Sequence, residues 1–283
     1  MENKLSNIWK CFLPSVCIFV LQMAISFVGM FFVFCYKAHT YTSGSFSDFF
    51  QGYYNAVTST DFNVGVMLVY AAIAAVLFFF WYYKKVCDKS AKKGAFALLK
   101  ANPATCIVGV ILLSFGMQYL CTYLMNVVSV LFPSWLTQYE TLMDGMGLSE
   151  SLTLPLVLYT VVIGPICEEL TFRGLTFSYA RRVMPFWAAN VVQALLFAGM
   201  HMNPLQAVYT FLFGLVLGYF VEKAGNLSMG ICLHMSFNAV GVLSGGLALG
   251  GNGPMQFFCI LFGSMVATYL GILLLNKNAK NMA

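Results

Sequence analysis

LTLPLVLYTVVIGPICEELTFRGL, residues 152–175, begins as an apolar run long enough to enter a bilayer and ends on Glu168, Glu169 and Arg173. The rest of the 283-residue chain reads as the same material: 60% hydrophobic, 9% charged, with a mean hydropathy of +0.80. A soluble domain carries about 25% charged residues. This chain therefore reads as an integral membrane protein. Crossing a hydrocarbon core takes about 20 apolar residues of helix, and eight candidate spans lie at about 12–36, 64–83, 105–131, 152–170, 187–202, 205–221, 227–249 and 255–275. The fifth and sixth are short. The runs are continuous instead of alternating, so an all-α polytopic bundle is expected and a β-barrel is not. The first run exceeds a signal-peptide core and lacks a clear small-residue cleavage site, so it reads as a retained span.

Charge placement tests this topology. With eight spans, fourteen Lys and Arg residues fall on one side: Lys4, Lys10, Lys84, Lys85, Lys89, Lys92, Lys93, Lys100, Arg173, Arg181, Arg182, Lys223, Lys277 and Lys280. Only Lys37 falls on the other. Cations accumulate on the cytoplasmic side, so both termini are expected there. The net charge of +5 then reports topology and contact with anionic lipid, and no nucleic-acid partner is expected. Nine cysteines, mostly within spans or on the cytoplasmic side, do not read as a disulfide framework. Cys167 beside Glu168 raises a nucleophile reading, against the ordinary use of such a cysteine as a small apolar residue.

One membrane domain in two regions is expected. Residues 1–150 hold three spans and a cationic cytoplasmic stretch, 84–100, expected to lie along the headgroups; residues 151–283 hold the other five spans and the polar motifs. The N-terminal region shows nothing that looks catalytic. Gly214 and Gly218 form a small-xxx-small pair suited to close helix packing, and no internal repeat is apparent.

Ionisable groups within spans are costly and so are functional candidates. Glu169 and Arg173, four apart on a helix, can pair on one face, while Glu168 turns about 100° away. That leaves Glu168 to find another partner or to act as a base. FAGMH (197–201) places Phe197 one turn before His201, and HMSFN (234–238) places His234 and Asn238 on one face. His39, the third histidine, falls in an external loop. Amide hydrolysis needs activated water, an oxyanion stabiliser and a proton for the leaving amine. Glu168 with His201 can supply the first, His234 and Asn238 the second, and protonated Glu168 the third. No serine stands beside a base and there is no H-E-x-x-H pattern. A divalent metal such as zinc, held by Glu168, His201 and His234, fits the same residue types; so does metal-free chemistry.

EELTFR (168–173), FAGMH and HMSFN resemble, in order and spacing, the EExxxR, FxxxH and HxxxN motifs of the CPBP family of intramembrane proteases. That family includes CAAX prenyl endopeptidases and bacterial abortive-infection or bacteriocin self-immunity proteins. The resemblance covers about residues 152–248. It implies an all-helical membrane endopeptidase with a cytoplasm-facing site, in which Glu168 and His201 activate water, His234 and Asn238 stabilise the oxyanion, and Glu169, Arg173 and Phe197 support them. Members are described both as metalloproteases and as glutamate-dependent enzymes without metal. The implied substrate is a peptide or a membrane-anchored protein, lipidated ones included, and the compact loops resemble bacterial cell-membrane members. The competing readings are a proton-coupled transporter and a non-catalytic immunity or scaffold protein.

Overall fold

The computed structural model describes residues 4–87, 102–148, 152–244 and 253–280. All regular elements among them are helical. They are α1 (Lys4–Thr40), α2 (Phe46–Val57), α3 (Thr60–Lys85), α4 (Pro103–Leu131) and α5 (Pro133–Gly145). A composite helix α6 runs through Leu154–Arg181, followed by α7 (Phe186–Met200), α8 (Pro204–Ala224), α9 (Leu227–Ser244) and α10 (Pro254–Lys280). Seven of these are long and apolar enough to cross a membrane, and α7 is a shorter apolar helix. The eight apolar runs thus all become helices. Most of the cationic stretch at 84–100 and the end of the seventh run lie outside the described residues.

Three features depart from the sequence reading. Two short helices, α2 and α5, lie between the apolar runs, where only external loops are expected; a Ser45–Asp48 capping box starts α2 by satisfying its free backbone amides. The fourth span does not end at Glu168–Arg173 but continues to Arg181, so these residues lie at its middle. Hydropathy drops at the charges, yet the Glu169–Arg173 pair cancels internally and the helix goes on. Consequently Arg173 is not a flanking cation: its side chain is fully buried, and it drops out of the charge count.

Lipid tails are as apolar as leucine, so packing and polar contacts, not burial from water, hold such helices together. One cluster joins α1, α3 and α6 through Cys11, Ile18, Ala71, Ala74, Phe78, Cys167 and Leu175. A second joins α4, α8, α9 and α10 through Leu113, Leu217, Leu233 and Leu275. Small residues set the distances: a Cβ on Gly116 of α4 would lie 2.7 Å from the Ser264 carbonyl of α10. The α7–α8 hairpin uses the expected Gly214 and Gly218, with Gly214 against Ala194 and Gly218 against Asn190. The outward faces of α1 and α10 expose Phe27, Phe31, Phe32, Phe258 and Phe262, as helices in lipid do.

Candidate active site

The centre of the bundle is organised by α6, which is not a uniform α-helix. Leu158–Ile163 and Leu170–Phe177 are π-helical, flanking the α-helical Gly164–Glu169. Such wide turns recur at functional sites. Here the reason is local: the Gly164 amide reaches back to the Tyr159 carbonyl, five residues away, and the next residue, Pro165, has no N–H to give Thr160. The freed Thr160 carbonyl accepts a hydrogen bond from Asn238 Nδ2 of α9, at 2.8 Å. The proline of GPICEE thereby ties the fourth span to the HxxxN helix.

The adjacent glutamates face different surroundings. Glu169 is fully buried; its Oε1 accepts from Arg173 Nη1 at 2.8 Å and lies 2.9 Å from His234 Nδ1. Because that oxygen already serves a guanidinium, the imidazole proton sits on Nδ1 and is donated to it. Arg173 is a connector and not a two-pronged clamp on one carboxylate: its Nη2 donates to the Gly214 carbonyl at 3.3 Å, and its Cζ stands 4.3 Å from the centre of the Phe197 ring. Gln193 Nε2 shares the Gly214 carbonyl at 2.9 Å and also donates to Asn190 Oδ1. Asn190 in turn donates to the Leu215 carbonyl. Room for the glutamate comes from Gly230, where a Cβ would lie 2.6 Å from Glu169 Oε2 and 2.7 Å from Val221.

Glu168, by contrast, is 23% exposed and faces a cavity of about 890 Å³. Its Oε2 lies 3.5 Å from His234 Nε2, so His234 stands between the two carboxylates. His201, Phe197, Asn238, Tyr159 and Thr160 share the cavity wall. His201 follows α7 directly; Met202, in the left-handed region at φ 51°, turns the chain, and Asn203 caps α8 by accepting from the Gln206 amide. Within that turn His201 Nδ1 donates to the Phe197 carbonyl at 2.9 Å. Its Nε2 is therefore left as an acceptor. Phe197 packs edge-on against both His201 and His234.

All seven residues singled out in the three motifs thus meet around one cavity wall or directly behind it. Cys167 points instead into the α1–α3–α6 core, an apolar use. His39 is exposed in the last turn of α1. Sequence reasoning missed the buried amides Asn190 and Gln193, although polar residues at i and i+3 on the Phe197 face of an apolar run could have flagged them. It also missed Tyr70, whose hydroxyl lies 3.2 Å from that of Tyr159 on the cavity wall. With Met67, Gln118 and Met125, Tyr70 shows that the N-terminal region builds part of the cavity.

As a metal site these residues do not fit. Among the described residues no three His, Cys, Asp or Glu side chains are grouped so as to hold a metal ion, and His234 has each ring nitrogen directed at a carboxylate. No step is therefore built through a metal.

Residues 150–240, which carry all three motifs, match the family model of the type II CAAX prenyl endopeptidases, Rce1-like. This stretch is similar to an Rce1-like domain. It runs from just before α6 into α9 and so contains both walls of the glutamate–histidine cluster. No curated protein and no solved structure matches the chain. The seven span-length helices make this an integral, multi-pass membrane protein, and its residues 150–240 are similar to the CAAX prenyl endopeptidases of the CPBP kind.

Proposed function

We propose that the protein hydrolyses a peptide bond within the membrane, with Glu168 as general base. The observation that carries this reading is the placement of Glu168 alone of the two glutamates on the cavity wall, 3.5 Å from His234 Nε2 and sharing that wall with His201. A water hydrogen-bonded to Glu168 and to the acceptor Nε2 of His201 is oriented by both. Glu168 takes a proton from it as its oxygen attacks the carbonyl carbon. The tetrahedral oxyanion accepts a hydrogen bond from the second N–H of Asn238, whose first is held by Thr160, and His234 Nε2 adds a second donor when both ring nitrogens carry a proton. As the C–N bond breaks, the proton on Glu168 passes to the leaving amine, and acid and amine products separate with no net proton change at the site. The Glu169–Arg173 pair keeps His234 oriented and takes no part in the transfer.

The substrate is a peptide or the membrane-proximal part of an anchored protein, drawn into a cavity whose wall is largely apolar, with Met67, Met125, Met143 and Phe213 among its residues. Roles in peptide or bacteriocin processing and in self-immunity are compatible with such a site. The test is proteomics of membrane protein termini in cells carrying the wild-type protein or Glu168→Gln. New termini close to membrane anchors are expected only with wild type. Identical terminal profiles, with both proteins inserted at equal levels, would remove the endopeptidase reading.

A further inference from the structure

The cavity has an open end and a closed end. Most of its wall residues come from the same end of the helices: Met67 and Tyr70 from the first half of α3, Thr122 and Met125 from the second half of α4, Gln206 and Tyr209 from the start of α8, while α1 adds Ile18, Phe19, Gln22 and Met23 from around its middle. Asn238 and Val242 add the later half of α9, and α5 and the α7–α8 turn complete the rim, where Met202 and Leu152 are exposed. Towards the other end, all eight residues of Leu170–Phe177 are buried. Beyond them the closed end is tied by Trp81 to the Tyr179 hydroxyl, by Arg182 to the Lys85 carbonyl, and by Arg181 to Glu222 and the Met184 carbonyl. From Glu168 to Arg181 the helix rises by about 20 Å, and that length is packed.

The charges mark these ends oppositely. Among the described residues the closed end carries Lys10, Lys84, Lys85, Arg181, Arg182, Lys223 and Lys277 against Glu222. The open end carries Lys37 against Asp48, Asp61, Glu140 and Asp144. By the cation bias of membrane proteins, the closed end is cytoplasmic. This conflicts with the cytoplasm-facing site that the family resemblance implies, because the open end and the cationic end lie at opposite ends of the same helices and so face opposite sides of the membrane.

We infer that the Glu168 site is served from the non-cytoplasmic side of the membrane, and that its substrate is an exported peptide or a segment anchored in the outer leaflet. The substrate part of this inference rests on the endopeptidase reading; the orientation does not. A tail prenylated in the cytosol and held in the inner leaflet would meet the sealed end, behind Arg181 and Trp81. The acidic residues around the mouth also favour neutral or cationic segments over acidic ones.

Two measurements separate the parts. A membrane-impermeant quenched peptide that the detergent-solubilised wild-type protein cleaves is added to right-side-out and to inverted membrane vesicles. Cleavage is expected at once with right-side-out vesicles and only after detergent with inverted ones; the reverse pattern would overturn the inference. Independently of activity, Asp144→Cys and Lys85→Cys are treated in intact cells with a membrane-impermeant maleimide, with the unsubstituted protein giving the baseline of its own cysteines. Asp144→Cys is expected to gain label in intact cells and Lys85→Cys only after permeabilisation, and the opposite result would overturn the orientation. Absence of cleavage of any peptide even in detergent would overturn the substrate class along with the endopeptidase reading, while the labelling would still decide which way the cavity faces.

Discussion

Glu168 and Glu169 are neighbours in the chain and occupy opposite kinds of environment. Behind α6, Glu169 has Arg173 and His234 on one oxygen, and the network continues through the Gly214 carbonyl to Gln193 and Asn190, all buried. In front of α6, Glu168 has one neighbour at 3.5 Å and a cavity before it. One helical step of rotation separates a group held by a guanidinium and an imidazole from a group left free to act. Buried charge is tolerated on the packed side because each member has a counter-charge or a carbonyl. On the cavity side, an incomplete set of partners is what leaves room for water and substrate.

If that contrast is correct, substitutions on the packed side should show in stability and those on the cavity side in turnover. The largest stability loss is expected for Arg173→Ala, which strands Glu169 in the interior; breaking one partner of a buried pair costs about 3–5 kcal/mol. Thermal unfolding in detergent would show it, and a melting temperature equal to wild type would mean that the network does not hold the bundle. Arg173→Lys should lose activity as well as stability, since one ammonium cannot reach Glu169 and Gly214 while stacking on Phe197. Next comes Gly230→Ala, whose methyl group would press on Glu169 and Val221; overpacking of this kind costs about 1–3 kcal/mol. Smaller again is Asn238→Ala, which frees the Thr160 carbonyl at about 1 kcal/mol, yet this variant should lose turnover out of proportion to stability. A purely structural Asn238 would lose both together.

Much of this was legible in the residues. Apolar runs of span length specify helices because backbone groups in lipid have no other partners, and the i,i+4 spacing of Glu169 and Arg173 foretold their pair. The motifs also marked Phe197, His201, His234 and Asn238, which the fold brings to one place. What the residues concealed were relations between distant segments. His234 reaching both glutamates depends on how α9 crosses α6. The length of α6 was underestimated because hydropathy counts charges singly and cannot see that two of them cancel. The π-helical turn was written in Gly164–Pro165, but only the structure shows which carbonyl the missing amide releases. The cavity walls from α3, α4 and α5 carry ordinary apolar and amide side chains, with nothing in their spacing to announce a site.

The account turns on the unequal roles of the two glutamates, and Glu168→Gln tests it most directly. The change keeps the size of a side chain at a partly open position, so stability should move by about 0.5 kcal/mol or less. Removal of a general base lowers turnover by roughly 10²–10⁴-fold. Peptide cleavage by purified Glu168→Gln and wild-type protein, each with its melting temperature recorded in the same detergent, should therefore show at least a hundredfold loss of rate with unfolding unchanged. Cleavage at the wild-type rate would contradict the assignment of Glu168 as the working carboxylate.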